Sequence, residues 1–156
     1  MVVEFTKKEQ KVTRVSCGGL HTLAIAGDGE LFAWGRGEGG QLGLSIKTLE
    51  SLERLDCGIS MPVSIIKDKK IVDIAAGVAH SLALTEDGRV HAWGNGNYGQ
   101  LGLGFSGESF EPGTGNSRSS VFEPTLVKYL ERVNIKRIYA GSTISMFLSA
   151  KEELYA

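Results

Sequence analysis

The feature that most constrains this chain is a period of 59 residues. Gly18-Gly-Leu-His-Thr-Leu-Ala-Ile returns as Gly77-Val-Ala-His-Ser-Leu-Ala-Leu. Asp28-Gly29 returns as Asp87-Gly88, Trp34-Gly35 as Trp93-Gly94, and Gly40-Gln41-Leu42-Gly43 as Gly99-Gln100-Leu101-Gly102. Between Gly18–Leu44 and Gly77–Leu103, 15 of 27 residues are identical. A unit of this size cannot bury its apolar face alone, so it stacks on its neighbours. A residue that recurs in each unit therefore belongs first to the building plan and only second to any single site.

Each unit reads as short alternating strands. Val12 to Cys17 and Ile71 to Ala76 lead into the first Gly, and Thr22 to Ala26 and Ser81 to Thr85 leave the His. Asp-Gly then predicts a two-residue type I′ hairpin, because both residues tolerate positive φ. The strands Glu30 to Trp34 and Arg89 to Trp93 follow. Met61 to Ile66 and Glu123 to Val127 carry Pro near their starts, where no ladder donor is lost, and Val2 to Phe5 holds the matching place in the first unit. Four short antiparallel strands per unit, without helical periodicity, predict an all-β fold of β-propeller blades; a strand solenoid is the alternative.

The chain divides into repeat 1 over 1–60 with an insertion at 45–60, repeat 2 over 61–122 with a flexible insertion at 104–122, and a degenerate, truncated repeat 3 over 123–156. In the third, Ile144 stands where the His belongs and Lys151-Glu152 where Asp-Gly belongs. That substitution predicts a wider or frayed turn. About 2.6 repeats cannot close a ring, which takes at least about four blades. The ends are expected to present apolar faces, so the chain in isolation should be oligomeric head to tail, aggregation-prone, or covered by further repeats. Ile46, Leu49, Leu52 and Leu55 predict a short amphipathic helical turn that needs docking to persist. Both insertions follow Gly-Gln-Leu-Gly and should emerge on one face.

The 17 basic and 18 acidic residues are interspersed, for a net charge of -1, which argues against nucleic acid as a partner. No apolar run is long enough for a membrane span, and the N-terminal residues are charged where a signal peptide needs an apolar core. Cys17 and Cys57 have neither zinc spacing nor a secreted context, so they are expected to be free thiols. The expectation is an intracellular protein, cytoplasmic or nuclear.

The run from Ile74 to Gly102, with Gly-Val-Ala-His-Ser-Leu-Ala-Leu, Asp-Gly, His-Ala-Trp-Gly and Gly-Gln-Leu-Gly in order, resembles the repeats of the regulator-of-chromosome-condensation family. The resemblance covers nearly all of the chain outside the insertions. It implies a propeller that is seven-bladed when complete and serves as a protein-interaction platform; in the founding member it is a guanine-nucleotide exchange factor for the small GTPase Ran. The basic tail of the chromatin-bound member is missing here. The light-sensing member carries Trp and Arg before the repeat His, where this chain has Gly19-Leu20 and Val78-Ala79.

His21 and His80 are the obvious candidates for acid–base or metal chemistry, but two residues related by a repeat occupy two equivalent places and do not converge. Each is expected to bond its own blade's backbone. His91 takes the place of Phe32 and Tyr155 and reads as a packing residue. Gly35 to Gly40 and Gly94 to Gly99 both spell G-x-G-x-x-G, yet no helix follows to receive a phosphate, so they read as tight turns. Gln41 and Gln100 suit exposed loop backbone at a blade edge, Trp34 and Trp93 suit packing between blades, and Asp28 and Asp87 suit turns. No catalytic constellation, cofactor or metal is expected, and the chain is read as no enzyme. The expected function is a scaffold binding protein partners, such as a small GTPase, through one face. Glu38, Arg54, Tyr98, Phe105, Phe110 and Arg118 are its candidate contact residues. The alternative is all or part of an exchange factor for a Ran-type GTPase.

Overall fold

The structure, a computed structural model, describes residues 11–51, 59–66, 68–104 and 120–156. Its strands form three antiparallel sheets in succession. The first holds β1 (Val12–Cys17), β2 (His21–Ala26), β3 (Glu30–Gly35) and β4 (Ile59–Ile66) in that order. The second repeats it with β5 (Ile71–Ala76), β6 (His80–Thr85), β7 (Val90–Asn95) and β8 (Ser120–Leu126). The third holds β9 (Ile135–Ala140), β10 (Ser145–Ser149) and the short β11 (Leu154–Tyr155). These are propeller blades in an arc that does not close. Ile59–Ile66 and Ser120–Leu126 each complete the sheet before them, so the divisions at 61 and 123 cut the sheets rather than separate them.

A bulge recurs at one place on each inner strand. Pairing slips between Val12 and Arg14 on β1, between Ile71 and Asp73 on β5, and between Ile135 and Arg137 on β9. One extra residue restores residues three apart to a common face, against the usual period of two. Ile71 and Ile74 therefore both point at the first sheet, and Ile135 and Ile138 both point at the second.

The core lies between sheets, not within them. Leu23, Ile25, Leu31, Ala33, Leu42 and Leu44 of the first unit close over Ile71, Ile74, Ala83 and Trp93 of the second. The second unit repeats this against the third with Leu82, Leu84, Val90 and Leu101 meeting Ile135, Ile138 and Phe147. The helical turn expected in the first insertion is α1 (Ile46–Ser51), capped by Ser45, whose Oγ accepts from Thr48 N at 3.2 Å. Its Leu49 is buried in the first core, which is the docking so short a helix requires. Leu52 and Leu55 fall outside the described residues.

The hairpins differ from expectation. Thr85 and Arg89 face each other across three loop residues, with Gly88 N donating to Thr85 O at 2.9 Å and only Gly88 at positive φ, +78°. That is a type I turn followed by a left-handed residue, not a two-residue type I′ turn on Asp-Gly. Ser149 to Glu153 builds the same turn, with Glu152 at φ +66° in the glycine position. The third hairpin is therefore no wider than the second. Its cost lies in one left-handed side chain.

Candidate partner-binding face

The repeat histidines do not bond their own blades through the ring, as the sequence suggested. His21 Nε2 lies 2.8 Å from Ser81 Oγ, and His80 Nε2 lies 3.0 Å from Ser145 Oγ, each in the next sheet. Ser81 Oγ donates its single proton to Gln41 O at 2.8 Å, and Ser145 Oγ donates to Gln100 O at 2.6 Å. Both serines must therefore accept from the imidazole, which fixes the tautomer with hydrogen on Nε2. Trp93 Nε1 also donates to Gln41 O, at 3.0 Å, so one carbonyl receives two donors from the neighbouring sheet.

Nδ1 of both rings is buried with no hydrogen-bond partner. A proton there would have nothing to bond, and burial alone opposes the charge. The pKa of each is pushed down to about 4, by desolvation in both and further by His80 in the case of His21. His91, buried at the packing position, is also lowered, by desolvation first and then by Lys69. Gly18 and Gly77 make room for the rings: a Cβ on Gly77 would fall 2.2 Å from His80 Cε1 and 2.6 Å from Gly141 O.

The glutamines are buried rather than at an exposed edge, and their main-chain carbonyls form the junction. Gln100 also bonds loop backbone, accepting from Tyr98 N at 2.8 Å. Trp93 is fully buried between sheets one and two, while Trp34 is half-buried against the first core. Asp28 and Asp87 sit in their turns, Asp28 3.4 Å from Lys70 Nζ and Asp87 accepting from Thr85 Oγ1. Cys17 is exposed and free, and Cys57 lies outside the described residues. Among the described residues, no group of three His, Cys, Asp or Glu is placed to hold a metal, and no helix is long and apolar enough to cross a membrane.

The two faces of the arc differ in chemistry. The face bearing the β2–β3 and β6–β7 turns pairs its own charges: Lys70 with Asp28 and Glu86, Arg89 with Asp87 and Glu131, and Lys136 with Glu152. The opposite face carries the β1–β2 and β5–β6 turns. There Gly19 N meets Gly77 O at 3.3 Å and Val78 O at 3.2 Å, which brings two turns together. Leu20 and Val78 project from them, 60% and 53% exposed, and Tyr98 stands on the neighbouring loop, 76% exposed. Glu38 is on this face but already engaged by Arg36 Nε and Nη2, at 3.0 and 2.5 Å. Arg54, Phe105, Phe110 and Arg118 lie outside the described residues. Leu20 and Val78 were not singled out from sequence. Their signal was a branched apolar residue in a turn otherwise made of Gly and Ala.

The comparisons with known proteins agree with this architecture. Two family models described as "Regulator of chromosome condensation (RCC1) repeat" match, one at residues 12–41 and 71–100, the other at 28–84 and 87–148. The second begins within one sheet and ends in the next, as a unit joined across sheets should. The E3 ubiquitin-protein ligase HERC2 of Homo sapiens is 32% identical over 143 residues, 92% of this chain but 3% of HERC2. Human WBSCR16 superposes with a TM-score of 0.76 at 26% identity, over 94% of this chain and 33% of that one. Prp20p of Saccharomyces cerevisiae gives 0.75 at 20% identity, over 96% and 34%. The chain thus spans a small part of HERC2 and about a third of each solved propeller. With its sheets, its junctions and its repeat matches all agreeing, the chain belongs to the regulator of chromosome condensation (RCC1) repeat family.

Proposed function

We propose that this chain is a non-enzymatic segment of a propeller scaffold that binds protein partners through the face bearing Leu20, Val78 and Tyr98. The observation that carries this reading is that Leu20, Val78 and Tyr98 stand exposed together on turns held at a junction between sheets, where Gly19 N meets Gly77 O and Val78 O. Loops held by packed sheets are the usual place for binding residues, and aromatic anchors supply much of the energy at interfaces. The histidines support the same reading, since both are committed to holding sheets together.

A second reading is a part of a guanine-nucleotide exchange factor for a Ran-type GTPase. Family membership favours it, and Prp20p binds Gsp1p and histones. One experiment addresses both. The immobilised chain is offered native lysate and, separately, a panel of small GTPases loaded with fluorescent GDP, alongside Leu20→Lys/Val78→Lys and Glu86→Lys as face-specific variants. Capture lost in the first variant and kept in the second is the expected result; the reverse pattern refutes the assignment of the face. Accelerated GDP release at substoichiometric amounts of chain would favour exchange over scaffolding.

A further inference from the structure

Arg14, Asp73 and Arg137 occupy one repeat position, directly after the bulge on β1, β5 and β9. Asp73 is buried, with one oxygen 3.2 Å from Arg14 Nη1 and the other 4.0 Å from Arg137 Nη1. It also accepts from Ile74 N at 3.1 Å and Ile138 N at 3.5 Å. One carboxylate thus stands between two guanidiniums, and both guanidiniums stay about half exposed, at 44% and 50%. Each junction within the chain joins opposite charges.

The outer faces are unfinished at the positions that are closed inside. Val12 and Val15 are 41% and 58% exposed, while their counterparts Ile71, Ile74, Ile135 and Ile138 are all buried. Beyond the third sheet, Leu154 is 60% exposed where Leu31 and Val90 are fully buried. Ile144, in the place of His21 and His80, is 51% exposed. In apolar shape, one copy of the chain could dock on another. In polar chemistry it could not dock well: such a junction sets Arg137 against Arg14, and Ile144 offers no donor to Thr22, the counterpart of Ser81 and Ser145. Like charges brought together at an interface suppress the wrong partner.

We propose that these faces receive not a second copy of this chain but a different sheet of the same build, whose inner strand carries a carboxylate at the position of Asp73. That carboxylate pairs with Arg14 on one side of the chain or Arg137 on the other, extending the alternation of charge around the axis.

The probe is this chain with Arg14→Asp, Asp73→Arg and Arg137→Asp together. The exchange keeps both internal pairs opposite in sign and reverses what the outer faces present. Association of labelled chains is followed by analytical ultracentrifugation at low salt. An equimolar mixture of parent and exchanged chain should associate roughly tenfold more tightly than either alone, and the difference should vanish near about 1 M salt, where screening is nearly complete. Parent chains that self-associate as tightly as the mixture, or a mixture that does not associate, would overturn the proposal. Should the exchanged chain fail to fold, Arg137→Ser reads the same repulsion in the parent. Self-association should then rise, and an unchanged value would refute the charge rule.

Discussion

His21 donates from Nε2 to Ser81 Oγ across the boundary between the first and second sheets, and Ser81 hands its own proton back to Gln41 of the first. The link closes a loop between two sheets that share no strand. It recurs with His80, Ser145 and Gln100, so it is a property of the junction and not of one blade. Apolar packing supplies the bulk of the energy there, and the polar link fixes how the two faces register.

Removing a ring should therefore loosen a junction. His80→Ala deletes a fully buried side chain and leaves Ser145 without its donor, which should cost about 2–4 kcal/mol. A double-mutant cycle of His21→Ala and Ser81→Ala should show a coupling of about 1 kcal/mol. Urea denaturation measures both. Additive single variants would mean that the 2.8 Å contact carries no energy of its own.

The same burial sets a pH dependence with a definite sign. His21 and His80 have pKa values of about 4 in the folded chain, against an ordinary 6.5 when unfolded. Their contribution is complete above about pH 6.5, where both states are neutral, and is lost as pH falls from there towards 4 and the unfolded state takes up protons alone. Each histidine contributes a slope of up to about 1.4 kcal/mol per pH unit in that window. His91, lowered by the same cause, acts in the same direction. Urea midpoints should be flat from pH 8 to 7 and fall steeply towards pH 5 (values set by the ordinary histidine range). His80→Gln should make the fall shallower; an unchanged slope would contradict the assignment.

Glycine at 77 is a matter of space, since its φ needs no glycine, whereas at 99 φ is +82° and nothing lies within 4 Å of a Cβ. Gly99→Ala should thus cost only the left-handed backbone, about 1 kcal/mol. Gly77→Ala must displace the His80 ring or the third sheet and should cost more, about 2–3 kcal/mol. Equal losses in thermal melts would remove the steric account.

Glu152 offers the opposite change. It holds φ +66° where the equivalent hairpin has Gly88. Glu152→Gly relieves the strain and forfeits only an exposed pair with Lys136, so a gain of about 0.5–1 kcal/mol is expected. A loss of stability would show that the pair outweighs the backbone.

What could be read in the sequence was whatever the repeat states twice: the strands, the blade build, the turn positions, and the buried Trp93. What could not be read depends on residues from different units meeting. Ser81 looked like any strand serine, because nothing local shows that it lies against a histidine 60 positions earlier. The type I′ assignment failed because Asp-Gly also suits the last two places of a three-residue turn. Ile71 and Ile74 share a face only through a bulge, which hydrophobic alternation does not reveal. Most of the predicted contact residues fell in the insertions, where no repeat guides the reading. The turn residues Leu20 and Val78 were passed over because they differ between the units.

The final prediction uses one repeat position in two settings. Val90 and Leu154 are equivalents, one 1% exposed between the second and third sheets, the other 60% exposed on the open side of the third. Val90→Lys puts an unpaired ammonium into a packed junction, which costs several kcal/mol and should abolish cooperative unfolding. Leu154→Lys changes only a solvated side chain and should move stability by less than about 0.5 kcal/mol. Thermal melts on both variants decide the matter. If Leu154→Lys melts as early as Val90→Lys, the third sheet is already covered on its far side, and the open arc is not the form the chain adopts in solution.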